Sequence, residues 1–194
     1  MYRARPRARL GAAVALAIGG GLAAWAITGG SGGGDGATGT SSSTSRTATT
    51  ATPIGPIGLS AKGLRTLTAS VRQPVYWVGE KPGYLYELTR TGNGNIFVRY
   101  LPPGVKVGSK QAIYLIVATY PFKNALQALK NLKARKVAIP GGGIAIVDRA
   151  HPQSVHLAYP GIDKEVEIFD PSPARSLQIA KSGQVRVVAA PASP

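Results

Sequence analysis

The chain has 194 residues, with 23 Lys and Arg against eight Asp and Glu, and a formal net charge of +15 at pH 7. It contains no cysteine, which excludes disulfide bonds, a thiolate nucleophile and a cysteine-ligated zinc site. Because residues 1–56 lack the hydrophobic periodicity of a packed region, about 130 residues remain, enough for one globular domain.

The N-terminal part of the chain contains an uncharged segment at residues 10–28 (LGAAVALAIGGGLAAWAIT). As an α-helix, it would extend about 28 Å, close to the hydrocarbon thickness of a bilayer. Residues 1–9 carry four arginines and no acid, so the positive-inside rule places this basic stub in the cytoplasm. We therefore predict a single transmembrane helix, with the remainder of the chain outside the cytoplasm.

A cleaved secretory signal is the alternative interpretation of the same segment. Ala24, Trp25 and Ala26 match the small-x-small pattern that precedes a cleavage site. The apolar run continues through Ile27 and is longer than the usual signal-peptide core, which favours an anchor. Both interpretations export the rest of the chain, and cleavage would make it a secreted protein.

The segment after the predicted anchor, residues 29–56, is rich in Gly, Ser, Thr and Ala. Such a composition has too few apolar groups to offset the entropy of folding, so we predict a disordered linker. A flexible coil of about 25 residues has a root-mean-square span of roughly 25–30 Å. It would hold a domain near the membrane without fixing its orientation.

Residues 57–190 are predicted to form an α+β domain. Short runs rich in aromatic and β-branched residues, bounded by Gly or Pro, predict strands, and apolar residues three and four apart predict helices. Most connections are as short as those of hairpins, which favours a mainly antiparallel sheet packed by one central amphipathic helix and one or two short helices. Residues 113–119 are apolar on both faces, as in a central strand. The predicted strands are 75–78, 84–89, 95–101, 113–119, 137–139, 144–147, 155–159, 166–169 and 185–188; the central helix runs from Pro121 to about Lys136, and the short helices are 59–71 and 172–180.

The predicted domain is strongly basic. It contains 18 Lys and Arg and seven Asp and Glu, a net charge of +11. This charge attracts anions, and outside the cytoplasm the abundant ones are anionic lipid head groups and acidic envelope polymers, so nucleic acid is not an expected partner. The candidate anion-binding residues lie on the central helix, where the alternative is a solvated helix face without a ligand. They are Lys123, Lys130, Lys133, Arg135 and Lys136.

Acidic side chains cluster in one short segment. Asp163, Glu165 and Glu167 alternate along a predicted strand, and Asp170 follows it. These carboxylates are weak candidates for binding a hard cation such as Ca²⁺, because no D-x-[DN]-x-[DN]-G loop is present. The favoured interpretation is the solvent-facing polar side of an edge strand. We therefore predict no metal site and no cofactor.

The sequence contains no catalytic motif. His151 and His156 are the only histidines, and Ser154 alternates with His156 without the arrangement of a catalytic triad or a G-x-S-x-G turn. The three glycines at 141–143 are not followed by the Lys-Ser/Thr of a phosphate loop. No catalytic residue is assigned.

Together, these patterns predict a membrane-anchored envelope protein whose outer domain binds an anionic lipid, an acidic polymer or another envelope protein without catalysis. The alternative is a small exported hydrolase that acts on envelope polymer through the carboxylates of residues 163–170. The two hypotheses differ in geometry. A hydrolase requires Asp163, Glu165 or Glu167 to line a cleft, whereas a binding module places them on an open face.

Overall fold

The computed structural model describes residues 51–111 and 113–189 of the chain. These residues form ten strands and three helices. The strands are β1 (Ile54–Leu59), β2 (Tyr76–Trp77), β3 (Leu85–Arg90), β4 (Ile96–Leu101), β5 (Ile116–Pro121), β6 (Lys136–Ile139), β7 (Gly143–Val147), β8 (Ser154–Ala158), β9 (Lys164–Phe169) and β10 (Arg186–Val187), and the helices are α1 (Ala61–Ser70), α2 (Ala125–Asn131) and α3 (Pro173–Lys181).

Eight of the strands form one antiparallel sheet in the order β1-β3-β4-β5-β9-β8-β7-β6. Strands β3, β4 and β5 follow one another along the chain and across the sheet. After α2, the chain enters the far edge at β6 and returns through β7 and β8, which places β9 beside β5. Strand β9 is therefore an interior strand. Strands β2 and β10 pair in a separate antiparallel ladder.

The predicted fold class is confirmed, because the domain is α+β with a large antiparallel sheet and three helices. Strand β1 is the element that the sequence does not predict, because its Gly55 and Pro56 are residue types depleted in strands. It lies at the edge of the sheet, where a proline without an N–H is tolerated. It begins at Ile54, ahead of residue 57, where the sequence pattern places the start of the domain.

Helix α2 is shorter than the sequence predicts. It ends at Asn131 after seven residues, whereas the predicted helix continues to Lys136. Leu132 takes an extended backbone conformation (φ −64°, ψ 139°), which ends the helix. The Lys136 ammonium then donates to the Leu132 carbonyl oxygen at 2.6 Å.

The sheet is packed on both faces. On one face, α1 and α3 contribute Leu64 and Ala180 to the larger hydrophobic cluster, and on the other face Leu129 of α2 belongs to a smaller cluster with Ile146. Ala145 belongs to the larger cluster although it is the neighbour of Ile146, because successive side chains of a strand point to opposite faces. The larger part of the core therefore lies under α1 and α3, and the central helix covers the smaller part.

Residues 1–50, which hold the predicted cytoplasmic stub, the transmembrane segment and most of the linker, lie outside the described residues. Within the part of the chain that is described, each helix is too short or too polar to cross a membrane. The anchor at residues 10–28 therefore stays a prediction.

Candidate anion-binding surface

The fold separates the charged side chains of the domain by sign. Residues 57–189 contain 18 basic and seven acidic side chains. Four of the seven acids are buried, whereas Arg99 is the one buried basic residue of this set. Of these, 17 basic and three acidic side chains therefore remain wholly or partly exposed. The buried acids are Glu87, Glu165, Glu167 and Asp170.

Glu87 and Arg99 form a buried ion pair on the neighbouring strands β3 and β4. Arg99 Nη1 lies 2.7 Å from Glu87 Oε1, and the Gly108 N–H donates to Glu87 Oε2 at 2.6 Å. Arg99 Nη2 donates to the Gln111 carbonyl oxygen at 3.0 Å. These bonds hold the connection between β4 and β5, called the β4–β5 loop below, against the sheet.

Glu165 and Glu167 project from β9 on the same face of the sheet. Glu167 accepts hydrogen bonds from Ser154 Oγ at 2.5 Å and from the Tyr120 hydroxyl at 2.6 Å. Burial, followed by the charge of Glu167, raises the pKa of the Tyr120 phenol. Glu165 Oε1 lies 2.6 Å from His156 Nδ1. The two carboxylates are therefore bonded to side chains of the adjacent strands β5 and β8.

The protonation of His156 depends on these two carboxylates. Burial by itself lowers the pKa of His156, but the hydrogen bond that the imidazolium Nδ1–H donates to Glu165 and the charges of Glu165 and Glu167 outweigh it and raise the pKa above its ordinary value. His156 Nε2 is buried and has no hydrogen-bond partner among the described residues. The His156–Glu165 contact is therefore a buried ion pair when the imidazole is protonated.

The acidic segment is not the solvent-facing side of an edge strand. Strand β9 lies between β5 and β8, and Glu165 and Glu167 are exposed by only 7% and 4%. That part of the prediction is wrong, because alternation within one strand does not show which strands pair with it. Tyr120 and His156, which bond the carboxylates, are 47 and nine residues away in the chain from their partners.

The other two acids are engaged separately. Asp163 Oδ1 accepts a hydrogen bond from the Asn124 N–H at 2.8 Å, beside the start of α2. Asp170 accepts from the Ser172 N–H at 2.9 Å and lies 3.1 Å from Arg175 Nη2. In the described part of the chain, no three His, Asp or Glu side chains converge in a way that could hold a metal ion.

Ser154 and His156 lie on the same face of β8 but do not form a nucleophile and base. Ser154 Oγ donates to Glu167, and His156 Nδ1 contacts Glu165. Their exposed fractions are 3% and 2%, so solvent and substrates do not reach them. Both residues therefore make side-chain contacts between strands β8 and β9 inside the sheet.

The five predicted anion-binding residues are all exposed. Of the five, Lys130 alone lies on α2, in its last turn, where the helix dipole favours a cation. Lys123 precedes α2, and the other three lie between its end and the start of β6 at Lys136, so the five do not share the predicted helix face. The salt bridges within the described residues involve arginine and histidine, and no lysine takes part in one. We call this set the α2–β6 basic segment; it comprises Lys123, Lys130, Lys133, Arg135 and Lys136.

A cleft of about 310 Å³ lies between the start of β3, the β4–β5 loop and the start of α3. Its lining includes two basic side chains, Lys81 and Arg175, and the acid Asp170. Lys81 Nζ lies 3.9 Å from the ring centre of Tyr84, a cation–π distance. The sequence does not predict this cleft, because its residues come from separate segments that no spacing rule connects.

Comparisons with protein-family models, with curated proteins and with solved structures found no match to this chain. Its function is therefore inferred from the contacts and charges described above.

Proposed function

We propose that this protein is a membrane-anchored, extracytoplasmic binding module that holds an anionic partner without catalysis. The observation that supports the proposal is the separation of charges, in which the domain buries most of its acids and exposes almost all of its basic side chains. The partner is an anionic lipid surface, an acidic envelope polymer or an acidic envelope protein.

The exposed charge is larger than the composition suggests. The net charge of +11 counts four carboxylates that lie inside the domain, so the surface itself is more basic than this value. Two of the three remaining acids are also paired: Glu80 lies 3.0 Å from Arg65, and Asp148 lies 3.1 Å from His151. A surface of this kind attracts anions over about a Debye length, about 8–10 Å at ordinary salt.

The proposal places this surface beside a membrane. Residues 10–28 would anchor the chain, residues 1–9 would remain in the cytoplasm, and the linker would allow the domain to reach partners within roughly 25–30 Å of its attachment. Cleavage after the apolar segment would release the same basic domain as a secreted protein.

Glu165 and Glu167 are buried, so they lie neither in a cleft, as expected of a hydrolase, nor on an open face, as expected of a binding module. Binding is preferred to hydrolysis because the carboxylates of residues 163–170 are already engaged. Glu165 and Glu167 bond to core side chains, and Asp170, the one acid among the described residues of the cleft, contacts Arg175 and the Ser172 N–H. Acid–base hydrolysis of a glycosidic bond usually requires two carboxyl groups that face one substrate. The cleft offers only one.

Charge reversal in the α2–β6 basic segment tests the proposal. A fragment that begins at Thr38 keeps β1 and the whole described domain. In this fragment, Lys123→Glu with Lys130→Glu should weaken binding to vesicles that contain phosphatidylglycerol by more than about 30-fold, because each of the two lost basic residues contributes about 1 kcal/mol near an anionic membrane and the two new carboxylates are repelled by it. Co-sedimentation with the vesicles measures this affinity.

A second pair of substitutions provides the matched control. Lys62→Glu with Lys181→Glu makes the same change in net charge, but these exposed residues lie on α1 and α3, the helices that cover the other face of the sheet. We expect a smaller loss of affinity in this control. Full affinity in both charge-reversed fragments would contradict the proposal, and circular dichroism would verify that both remain folded.

A further inference from the structure

A further arginine lies beside the α2–β6 basic segment. In the β6–β7 register, Lys136 at the start of β6 pairs with Ile146 near the end of β7. The residues just before β6 and those just after β7 are therefore at the same end of this strand pair. Arg149 is exposed and lies in the turn that joins β7 to β8. We call the resulting set the basic corner; it comprises Lys130, Lys133, Arg135, Lys136 and Arg149.

The end of α2 is tied to the same corner. The Lys136 ammonium donates to the carbonyl oxygens of Leu132 at 2.6 Å and of Ala134 at 3.4 Å, so it folds back on the short segment that joins α2 to β6. Lys130 lies in the last turn of α2, directly ahead of that segment. Because β6 is an edge strand, a helix end, a connecting segment, the start of an edge strand and a turn all bring cations to one corner of the sheet.

Little negative charge offsets this corner. Residues 122–147 contain no acid, and in the described part of the chain no member of the basic corner takes part in a salt bridge. Asp148, the neighbour of Arg149, accepts from the Ala150 N–H at 2.8 Å and lies 3.1 Å from His151. An anion that approaches the corner therefore meets five cationic side chains and one carboxylate that is already bonded within its own turn.

Five exposed cations favour a ligand that carries many anionic groups. A single ion pair at the surface contributes little, because water screens the charges and both side chains lose conformational freedom. A chain of anionic groups makes several such contacts for one loss of translational freedom, and it also releases the counterions that surround it. The basic corner therefore suits a polymer better than a single small anion.

The exposed apolar side chains do not lie at this corner. Ile57 and Leu85 are on β1 and β3, at the edge of the sheet opposite β6. With neighbouring strands about 4.8 Å apart, β1 and β6 are separated by roughly 34 Å along the sheet. A bilayer at the corner would therefore gain no apolar insertion, and a flat surface reaches fewer of the cations than a flexible chain that bends around the end of β6. The exposed large hydrophobic residues of the described chain, all outside residues 122–151, are Ile57, Leu85, Val107, Ile113 and Val187.

We propose that the basic corner binds an acidic polymer, a flexible chain with a carboxylate or phosphate group on each repeat unit, and that Arg149 is one of its binding residues. The five cations contact successive anionic groups of one chain. The inference rests on the proposed function and selects the acidic polymer among its partners.

Soluble polyanions test the inference in the absence of an anionic membrane. The full chain is reconstituted in nanodiscs of phosphatidylcholine, whose head group has no net charge, and the binding of fluorescently labelled poly-L-glutamate and long-chain polyphosphate is measured by anisotropy. We expect at least one of the two polymers to bind, and free glutamate or inorganic phosphate at the same concentration of anionic groups not to displace it. Binding of neither polymer, or equal competition by the monomers, would overturn the inference.

Substitutions of Arg149 locate the site. Arg149→Glu should weaken polymer binding by about five-fold or more, which corresponds to about 1 kcal/mol. Arg149→Lys should retain the affinity, because the position supplies a positive charge. Arg72→Glu makes the same change as Arg149→Glu at an exposed arginine beyond the end of α1 and should have a smaller effect. Equal losses in Arg149→Glu and Arg72→Glu, with circular dichroism unchanged, would overturn the inference, because attraction to the overall charge would then explain the binding.

Vesicles that contain phosphatidylglycerol separate a failure of this inference from a failure of the proposed function. If the full chain binds neither polymer while the Thr38 fragment binds these vesicles in a salt-sensitive way, the partner is a membrane, the inference is overturned and the proposed function stands. If the protein binds neither the polymers nor the vesicles, both are overturned.

Discussion

At the scale of single residues, the ion pairs and hydrogen bonds inside the sheet allow the domain to bury acids. Glu165 bonds to His156, and Glu167 accepts from Tyr120 and Ser154, at distances of 2.5–2.6 Å. A buried carboxylate without such partners would be strongly destabilising. Because these partners are supplied from within the fold, no surface lysine is needed to neutralise the acids, and the lysines remain available to an external anion.

We expect the stability of the domain to decrease as the pH rises above neutrality. The pKa of His156 is raised in the folded state, whereas the unfolded value is about 6.5. Its stabilising contribution is complete below the unfolded pKa and is lost as the pH rises through the higher folded pKa. Urea unfolding between about pH 6 and pH 9 should show this decrease, and His156→Gln should remove it. An unchanged pH dependence in His156→Gln would assign the effect to another group.

The sequence predicts some of these residue-level features and not others. Alternation places Glu165 and Glu167 on one face of a strand, and the structure confirms this arrangement. Their burial was not predictable, because it depends on β5 and β8 pairing on either side of β9. Ser154 and His156 alternate in the same way, but only the pairing of β8 with β9 shows that each contacts a carboxylate.

At the scale of elements, β1 extends the sheet into the segment that the composition assigns to the linker. The Ala51 N–H donates to the Gly92 carbonyl oxygen at 3.0 Å, and Arg90 Nε donates to the Thr52 carbonyl oxygen at 2.7 Å. Ile54 pairs with Arg90 in the β1–β3 register. The ordered domain therefore includes residues before the predicted start at 57.

A truncation series tests the contribution of residues 51–56, which include the first half of β1. A fragment of residues 57–194 should have a free energy of unfolding about 1–3 kcal/mol lower than a fragment of residues 51–194, because it loses two hydrogen bonds of about 0.5–1.5 kcal/mol each. Urea unfolding monitored through Trp77, which lies in the core, measures the difference. The longer fragment from Thr38 serves as the control and should match residues 51–194. Equal stability of all three would show that residues 51–56 do not stabilise the sheet.

The sequence predicts the strands on either side of α2 better than it predicts α2 itself. The run at 113–119 is apolar on both faces, and the interior strand β5 (Ile116–Pro121) overlaps it over residues 116–119. The apolar spacing of the central helix continues beyond Asn131, but Leu132 and Ala134 reach the smaller cluster from the non-helical segment that follows α2. Spacing alone does not distinguish these two ways of placing apolar side chains on the same sheet.

At the scale of the whole molecule, the distribution of charge determines which partners the surface favours. Composition predicts the sign of the charge. The predicted polar face of one helix is not formed, because Lys130 is the one residue of the α2–β6 basic segment that lies on α2. The separation of acids from bases could not be predicted, since it requires the burial of Glu87 and Asp170, which lie in different segments. The cleft lined by Lys81 and Arg175 could not be predicted from the sequence either, because its lining residues come from separate segments that only the topology brings together.

The affinity of the Thr38 fragment for phosphatidylcholine vesicles with and without phosphatidylglycerol, measured over a series of salt concentrations, tests the central claim most directly. We expect binding only to the anionic vesicles and a steep loss of affinity with salt, because the Debye length shortens from about 30 Å at 0.01 M to about 8 Å at 0.15 M. Binding of equal strength to neutral vesicles, or an affinity that does not change with salt, would contradict an electrostatic role for the exposed basic surface.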